Sequence, residues 1–270
     1  MKYIKLYESY NSIEEICQKY NIKNYTINSD GSIDVNGDVD LKGIKFFEDS
    51  PSVRAIRLSS KLNNWTLKEI PIKFRNISGS FDIRYNEITS LENGPERVGD
   101  KYYISNNKIQ SLNGCPKEVG RFLGGHNEYS TLEGGPDICR GDYNVSSCNL
   151  ISLKGVASKI HGYLGFGSNK IYTLDHFPTL VDKIRPIAFI SGIEQNIFME
   201  DTPIKNLCDI FLDPLVIKSN SIKKSSLENF FQSLDYGYLR NNIIIERRFA
   251  LACEEFGITN PSSIDGYEFR

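Results

Sequence analysis

The chain has 270 residues, with 32 basic and 34 acidic side chains and a formal net charge of −2. That balance gives no electrostatic case for nucleic acid or an anionic membrane as partner. No stretch approaches the roughly 18 apolar residues of a membrane span, and the opening Met1-Lys-Tyr-Ile-Lys-Leu-Tyr-Glu8 lacks the apolar run of a secretory signal, so the expectation is a soluble, intracellular protein.

Residues 12–20 predict a short helix. Ser12 or Asn11 suits its N-cap, Glu14 and Glu15 lie at the positive helix end, and Ile13, Ile16 and Cys17 share a face. In Ile33-Asp-Val-Asn-Gly-Asp-Val-Asp-Leu41, apolar and polar residues alternate around Asn36-Gly37, which predicts a hairpin. Residues 1–45 thus read as a helix-and-hairpin cap. Ile56-Arg-Leu58 reads as a strand, followed by an insertion at 61–64 with Trp65 packing over it.

From residue 81 the sequence repeats. Phe81-Asp-Ile-Arg-Tyr-Asn-Glu-Ile-Thr-Ser-Leu91 recurs as Tyr102-Tyr-Ile-Ser-Asn-Asn-Lys-Ile-Gln-Ser-Leu112, as Phe122-Leu-Gly-Gly-His-Asn-Glu-Tyr-Ser-Thr-Leu132, and at 143–153 and 164–174. The final leucines are 21, 20, 21 and 21 residues apart. Asn93-Gly-Pro95, Gly114-Cys-Pro116, Gly134-Gly-Pro136, Gly155-Val-Ala157 and His176-Phe-Pro178 follow them, and Val98, Val119, Ile160 and Val181 close most units. A period of about 21 residues with aliphatic columns and an asparagine predicts a leucine-rich-repeat solenoid over 46–202. The fold is mainly β, with a parallel sheet on the concave face. In each unit Tyr102 and Ile104 or their equivalents point inward; Tyr103 and Ser105 point outward. Asn86, Asn107, Asn127, Cys148 and Asn169 form a structural ladder that satisfies backbone groups where the chain turns. The Gly-x-Pro return path predicts tight turns and extended segments.

The period breaks after Val181 with an insertion at 183–194. Residues 203–270 then predict a helical cap. Thr202 is placed as N-cap, Pro203 in the first turn, and Ile204, Leu207, Cys208 and Phe211 as an apolar stripe. A second helix is expected over 226–234 and a third over 242–256, with Phe249, Leu251, Ala252 and Phe256 apolar and Gly257 as stop.

Ile88-Thr-Ser-Leu91 and Leu112-Asn-Gly-Cys-Pro-Lys-Glu-Val-Gly120 resemble the tandem units G-x-F-x-C-x-x-N-x-L-T-S-L-x-G-x-P-x-x-V-G of leucine-rich-repeat proteins from large tailed, T4-like bacteriophages. The lead-in 25–41 and the ending Cys253-Glu-Glu-Phe-Gly257 with Ile264-Asp-Gly-Tyr-Glu-Phe269 are similar too. The chain departs from the pattern at both insertions and at Gly124 and Phe166. The resemblance implies a non-enzymatic, viral protein-binding module acting in the cytoplasm of the infected bacterial host. It names no catalytic residue and leaves open whether a host or a phage protein is bound.

The outward strand positions are the candidate binding residues: Asp82, Arg84, Tyr85, Lys101, Tyr103, Ser105, Asn106, Arg121, His126, Asn144 and Tyr163. Tyrosine and arginine dominate binding hot spots. No cofactor or metal is expected, since no two of the six cysteines form a C-x-x-C pair and the three histidines are not at ligand spacing. A virion structural protein or adhesin is the alternative, weighed against six free thiols outside the cell. A cysteine-dependent ligase, with repeats before helices, fits less well: Cys208-Asp-Ile210 and Cys253-Glu-Glu255 lack the C-x-D spacing, and Cys208 lies on an apolar stripe.

Overall fold

The structure, a computed structural model, describes residues 12–43, 66–173, 175–176, 196–198, 202–211, 222–223 and 228–270. The expected strand at 56–58, both insertions, Trp65 and Val181 lie outside the described residues. The chain combines strands with a few helices around several parallel sheets and does not form a barrel.

Each regular unit supplies two short strands on either side of a corner. The first strands, Phe81–Asp82, Lys101–Tyr103, Arg121–Leu123, Tyr143–Asn144 and Leu164–Gly165, pair in parallel with their neighbours. Val39–Asp40 extends this ladder on one side; Asn196–Phe198 and the antiparallel Ile222–Lys223 complete eight strands on the other. The second strands form two further sheets. Tyr25–Ile27, Ile33–Val35, Phe74–Ile77 and Arg97–Val98 make one, and Glu118–Val119, Ile138–Cys139 and Lys159–Ile160 the other.

The register puts like on like. Phe81, Tyr102, Phe122, Tyr143 and Leu164 are aligned and buried. The Phe81 and Tyr102 rings stack at 5.8 Å and 15°, and Tyr102 and Phe122 at 6.2 Å and 12°. Parallel pairing fixes the spacing between these rings, which lets the aromatics in the middle of the column stack, while Val39 and Leu164 close it at its ends. Gly79, Gly99, Gly120, Gly141 and Gly162 occupy the corner between the two strands of each unit. A Cβ on Gly99 would lie 2.0 Å from the Ser78 carbonyl oxygen, and one on Gly120 2.6 Å from that of Asp100. Adjacent backbones approach too closely there for any side chain.

Four expectations change. Asn36-Gly37 is not a hairpin turn. It is a corner like the later ones, because Ile33–Val35 joins one sheet and Val39–Asp40 another. The actual hairpin lies earlier, between Tyr25–Ile27 and Ile33–Val35, where Asp30 Oδ1 accepts from the Ser32 N–H and Gly31 has φ +79°. Residues 33–43 are therefore the first unit of the ladders and not a cover over them. Secondly, the return path carries regular parallel pairing as well as turns. Thirdly, the last helix spans Glu246–Glu255, while Ile243–Ile244 pairs with Leu239–Arg240 and Glu268–Phe269; consecutive isoleucines favour the strand. Gly257 does end that helix, with its N–H on the Glu254 oxygen and the Ile258 N–H on that of Cys253. Fourthly, Leu251 is exposed and Cys253 takes the buried position.

The remaining helices lie at 12–19, at Pro203–Ile210 and at Glu228–Ser233, the last running into a 3-10 turn at Leu234–Tyr236. Ile13 and Cys17 are buried, as are Ile204, Leu207, Cys208 and Phe211. Thr202 sits at the N-cap position without a side-chain bond to the helix. One buried apolar cluster runs from Ile13 to Ile264. Among the described residues no helix is long and apolar enough to cross a membrane.

Candidate interaction face

Outward side chains of the eight-stranded ladder meet across successive units. Asp82 accepts two hydrogen bonds from Arg84, from Nε at 2.9 Å and Nη2 at 2.6 Å. The Lys42 ammonium lies 3.9 Å from the same carboxylate and 3.1 Å from Asp40. The Arg84 guanidinium carbon sits 4.6 Å from the centre of the Tyr103 ring, within cation–π range. Arg121 lies on the strand paired with that of Tyr103 and pairs with Asp142 at 2.9 Å. The Arg84 guanidinium is held above its already high range chiefly by the Asp82 bond. A row of charge and aromatic surface thus crosses the units from Lys42 to Asp142.

The candidate residues are not equally available. Asp82 and Ser105 are only 8% exposed. Arg84 covers the first, and the second turns its hydroxyl to the Leu123 carbonyl at 3.0 Å. Lys101 reaches Asp100 at 3.5 Å. Asn144 accepts the Ser146 N–H at 3.0 Å, and the Tyr163 N–H reaches Asp142 Oδ1 at 3.4 Å. Tyr85, Asn106 and His126, with Ser147 and Ser168, are not on strands. They form a column of left-handed bends with φ of 54° to 61°, where asparagine and histidine are more at ease than tyrosine or serine. The column persists because the N–H groups of Tyr85, Asn106 and His126 bond the Ser105, Gly125 and Ser146 carbonyls of the next unit. His126 is exposed; Tyr85 and Asn106 are half-buried.

Sequence reading missed Lys42 and Asp40. Their signal was present: Val39-Asp-Leu-Lys42 has the pattern of Phe81-Asp-Ile-Arg84, with an aliphatic in place of the aromatic.

Beneath the face lies the asparagine ladder. Asn107 Oδ1 accepts the Ile88 N–H at 3.1 Å, and Nδ2 donates to the Ile83 and Ile104 carbonyls at 3.0 Å each. Asn86, Asn127 and Asn169 repeat this arrangement. Cys148 offers only long thiol contacts, 3.7 Å to the carbonyls of Gly124 and Ser146.

A groove of roughly 1010 Å³ opens on the other side, over the second strands, between Asn24 and Thr26 at one end and Lys117 and Arg140 at the other. Glu118 lines it and is paired with Arg140 at 2.6 Å. All six cysteines are buried and reduced. Burial pushes the Cys17 and Cys139 thiols up to about 11 and raises those of Cys208 and Cys253, so thiolate is scarce at neutral pH. Among the described residues no three His, Cys, Asp or Glu side chains converge as metal ligands. Comparison with family models, curated proteins and solved structures finds no match to this chain.

Proposed function

We propose that the chain is a leucine-rich-repeat solenoid of the kind found in large tailed, T4-like bacteriophages. On this reading it works without catalysis in the cytoplasm of the infected bacterium, where it binds a host or phage protein through the outer, concave face of its longest ladder. The observation that carries the proposal is the row on that face: Arg84 lies against the Tyr103 ring and is anchored by Asp82, and on the next strand Arg121 is anchored by Asp142. Aromatic and arginine side chains immobilised before binding are the makings of a hot spot. The buried, raised thiols favour binding over cysteine catalysis.

The test begins with affinity capture from infected cells using the full chain, and continues with the captured protein after purification. Tyr103→Ala is expected to weaken the complex by at least about 1–2 kcal/mol while leaving the melting transition in place. Glu118→Ala, in the opposite groove, is expected to leave affinity unchanged. A partner that tolerates Tyr103→Ala but is lost on Glu118→Ala moves the binding site to the groove. Recovery of the chain in purified particles, by mass spectrometry, makes it a virion component instead.

A further inference from the structure

The exposed face also indicates the chemistry its partner presents, an inference that rests on the proposal that this face binds. The charges are layered. The Asp82 and Asp142 side chains are 12% and 22% accessible, whereas those of Arg84, Lys101 and Arg121 are 25%, 41% and 43%. Each carboxylate lies below the arginine it holds, so an approaching surface meets cations first. The more exposed acids, Asp40 and Asp100, belong to the first unit and to a corner, and lie beside Lys42 and Lys101.

The donors are committed on one side only. Arg84 uses Nε and Nη2 on Asp82, and among the described residues Nη1 is left for another acceptor. Arg121 is held to Asp142 through Nη2. The Arg84 guanidinium covers the Tyr103 ring, and Arg121 lies on the strand paired with that of Tyr103. An acceptor-rich, negatively charged group finds here several aligned N–H donors that lose little freedom on binding. A cationic group finds like charges.

We infer that the Arg84–Tyr103–Arg121 cluster receives an aspartate or glutamate carboxylate of the partner protein, seated beside the edge of Tyr103 and between the two guanidinium groups.

The experiment is selection of a random dodecapeptide library on the immobilised full chain, with individual peptides then measured against wild type, Arg121→Gln and Tyr103→Ala. Arg121→Gln is preferred to a change at Arg84 because Asp142 is less covered than Asp82. Both variants are first checked for an unchanged melting transition; where either melts differently, Arg121→Lys and Tyr103→Phe replace them. Peptides that depend on Tyr103 are expected to share an acidic residue, to lose at least about tenfold in affinity to Arg121→Gln, the equivalent of one charge-assisted hydrogen bond, and to weaken with salt. Peptides that depend on Tyr103 but carry no common acid, or that bind Arg121→Gln as well as wild type, overturn the carboxylate inference and leave the face as a binding site. A selection with no Tyr103-dependent peptide overturns both.

Discussion

Asn107 makes four side-chain hydrogen bonds to buried backbone of two units, so it is a spacer that no apolar residue of its size replaces. Asn107→Ala strands the Ile88 N–H and weakens three carbonyls, and is expected to destabilise by about 1–3 kcal/mol. Asn107→Asp should do at least as badly, since it keeps the acceptor, loses the donors and buries a charge. The neighbouring Lys108 reaches Glu87 at 3.3 Å on the surface, where an ion pair is worth little. Lys108→Ala should therefore stay within about 0.5 kcal/mol. Urea melts of the three variants give the comparison, and equal midpoints for Asn107→Ala and Lys108→Ala would remove the ladder as a source of stability.

Two successive units depart from the repeat in three linked places. Gly124 stands where other units have Ile83, Ile104 or Val145, Tyr129 where they have Ile88 or Ile109, and Cys148 where they have asparagine. The departures compensate. The Tyr129 hydroxyl donates to the Gly124 carbonyl at 2.6 Å, taking the place of the asparagine amide that position 148 lacks, and a Cβ on Gly124 would lie 2.7 Å from that hydroxyl oxygen. Gly124→Val alone is expected to cost about 1–3 kcal/mol through overpacking. Added to Tyr129→Ile and Cys148→Asn, it should be harmless, and the excess over additivity in a mutant cycle measures the coupling. Additive losses would mean that the three positions are independent.

The N-terminal hairpin is tied to the next unit by Asp34, whose Oδ1 takes bonds from Arg75 Nε at 3.1 Å and from the Asn76 N–H at 3.0 Å. The Arg75 bond above all holds its carboxyl below the usual range. A depressed carboxyl stabilises fully above its unfolded value, near pH ~3.9, and loses that contribution as the pH falls through the folded value. The stability curves of wild type and Asp34→Asn should accordingly be apart at neutral pH and converge in acid. Parallel curves in urea titrations from neutral pH into acid would assign the tie no electrostatic role.

At the scale of the whole molecule, the parallel ladders end in strands whose outer edges need covering. The C-terminal segment docks through the Ile204 N–H on the Ile171 carbonyl, the Tyr267 hydroxyl on the Tyr172 carbonyl at 2.6 Å, and a Tyr172–Tyr267 ring contact at 5.9 Å. Its buried residues belong to the same apolar cluster as the ladders. Removing 203–270 uncovers that edge and frees strand 196–198 from its antiparallel neighbour, a template for aggregation. The truncated chain is expected to aggregate or fail to express. A soluble 1–202 fragment that melts cooperatively would make the helical segment a separate domain.

The sequence by itself determined the period, the inward columns and the asparagine positions, because each of these recurs from unit to unit and a repeated side-chain preference is read locally. It also placed a helix at 12–20, observed over 12–19, and the end of the last helix at Gly257. Tertiary structure alone decided what Asn36-Gly37 does. The same dipeptide suits a hairpin turn or a corner, and the choice depends on Phe74–Ile77 and Phe81–Asp82, more than thirty residues on. It likewise decided that the two-residue second strands form sheets, since strands that short carry too little alternation to be recognised. Ile243–Ile244 became a strand because Glu268–Phe269 lies beside it. Asp82 and Ser105 were outward by alternation but covered in fact, because Arg84 and the Leu123 carbonyl close over them. In each case the deciding partner is distant in sequence or on the next unit, and pairing of that kind leaves no mark in the local pattern.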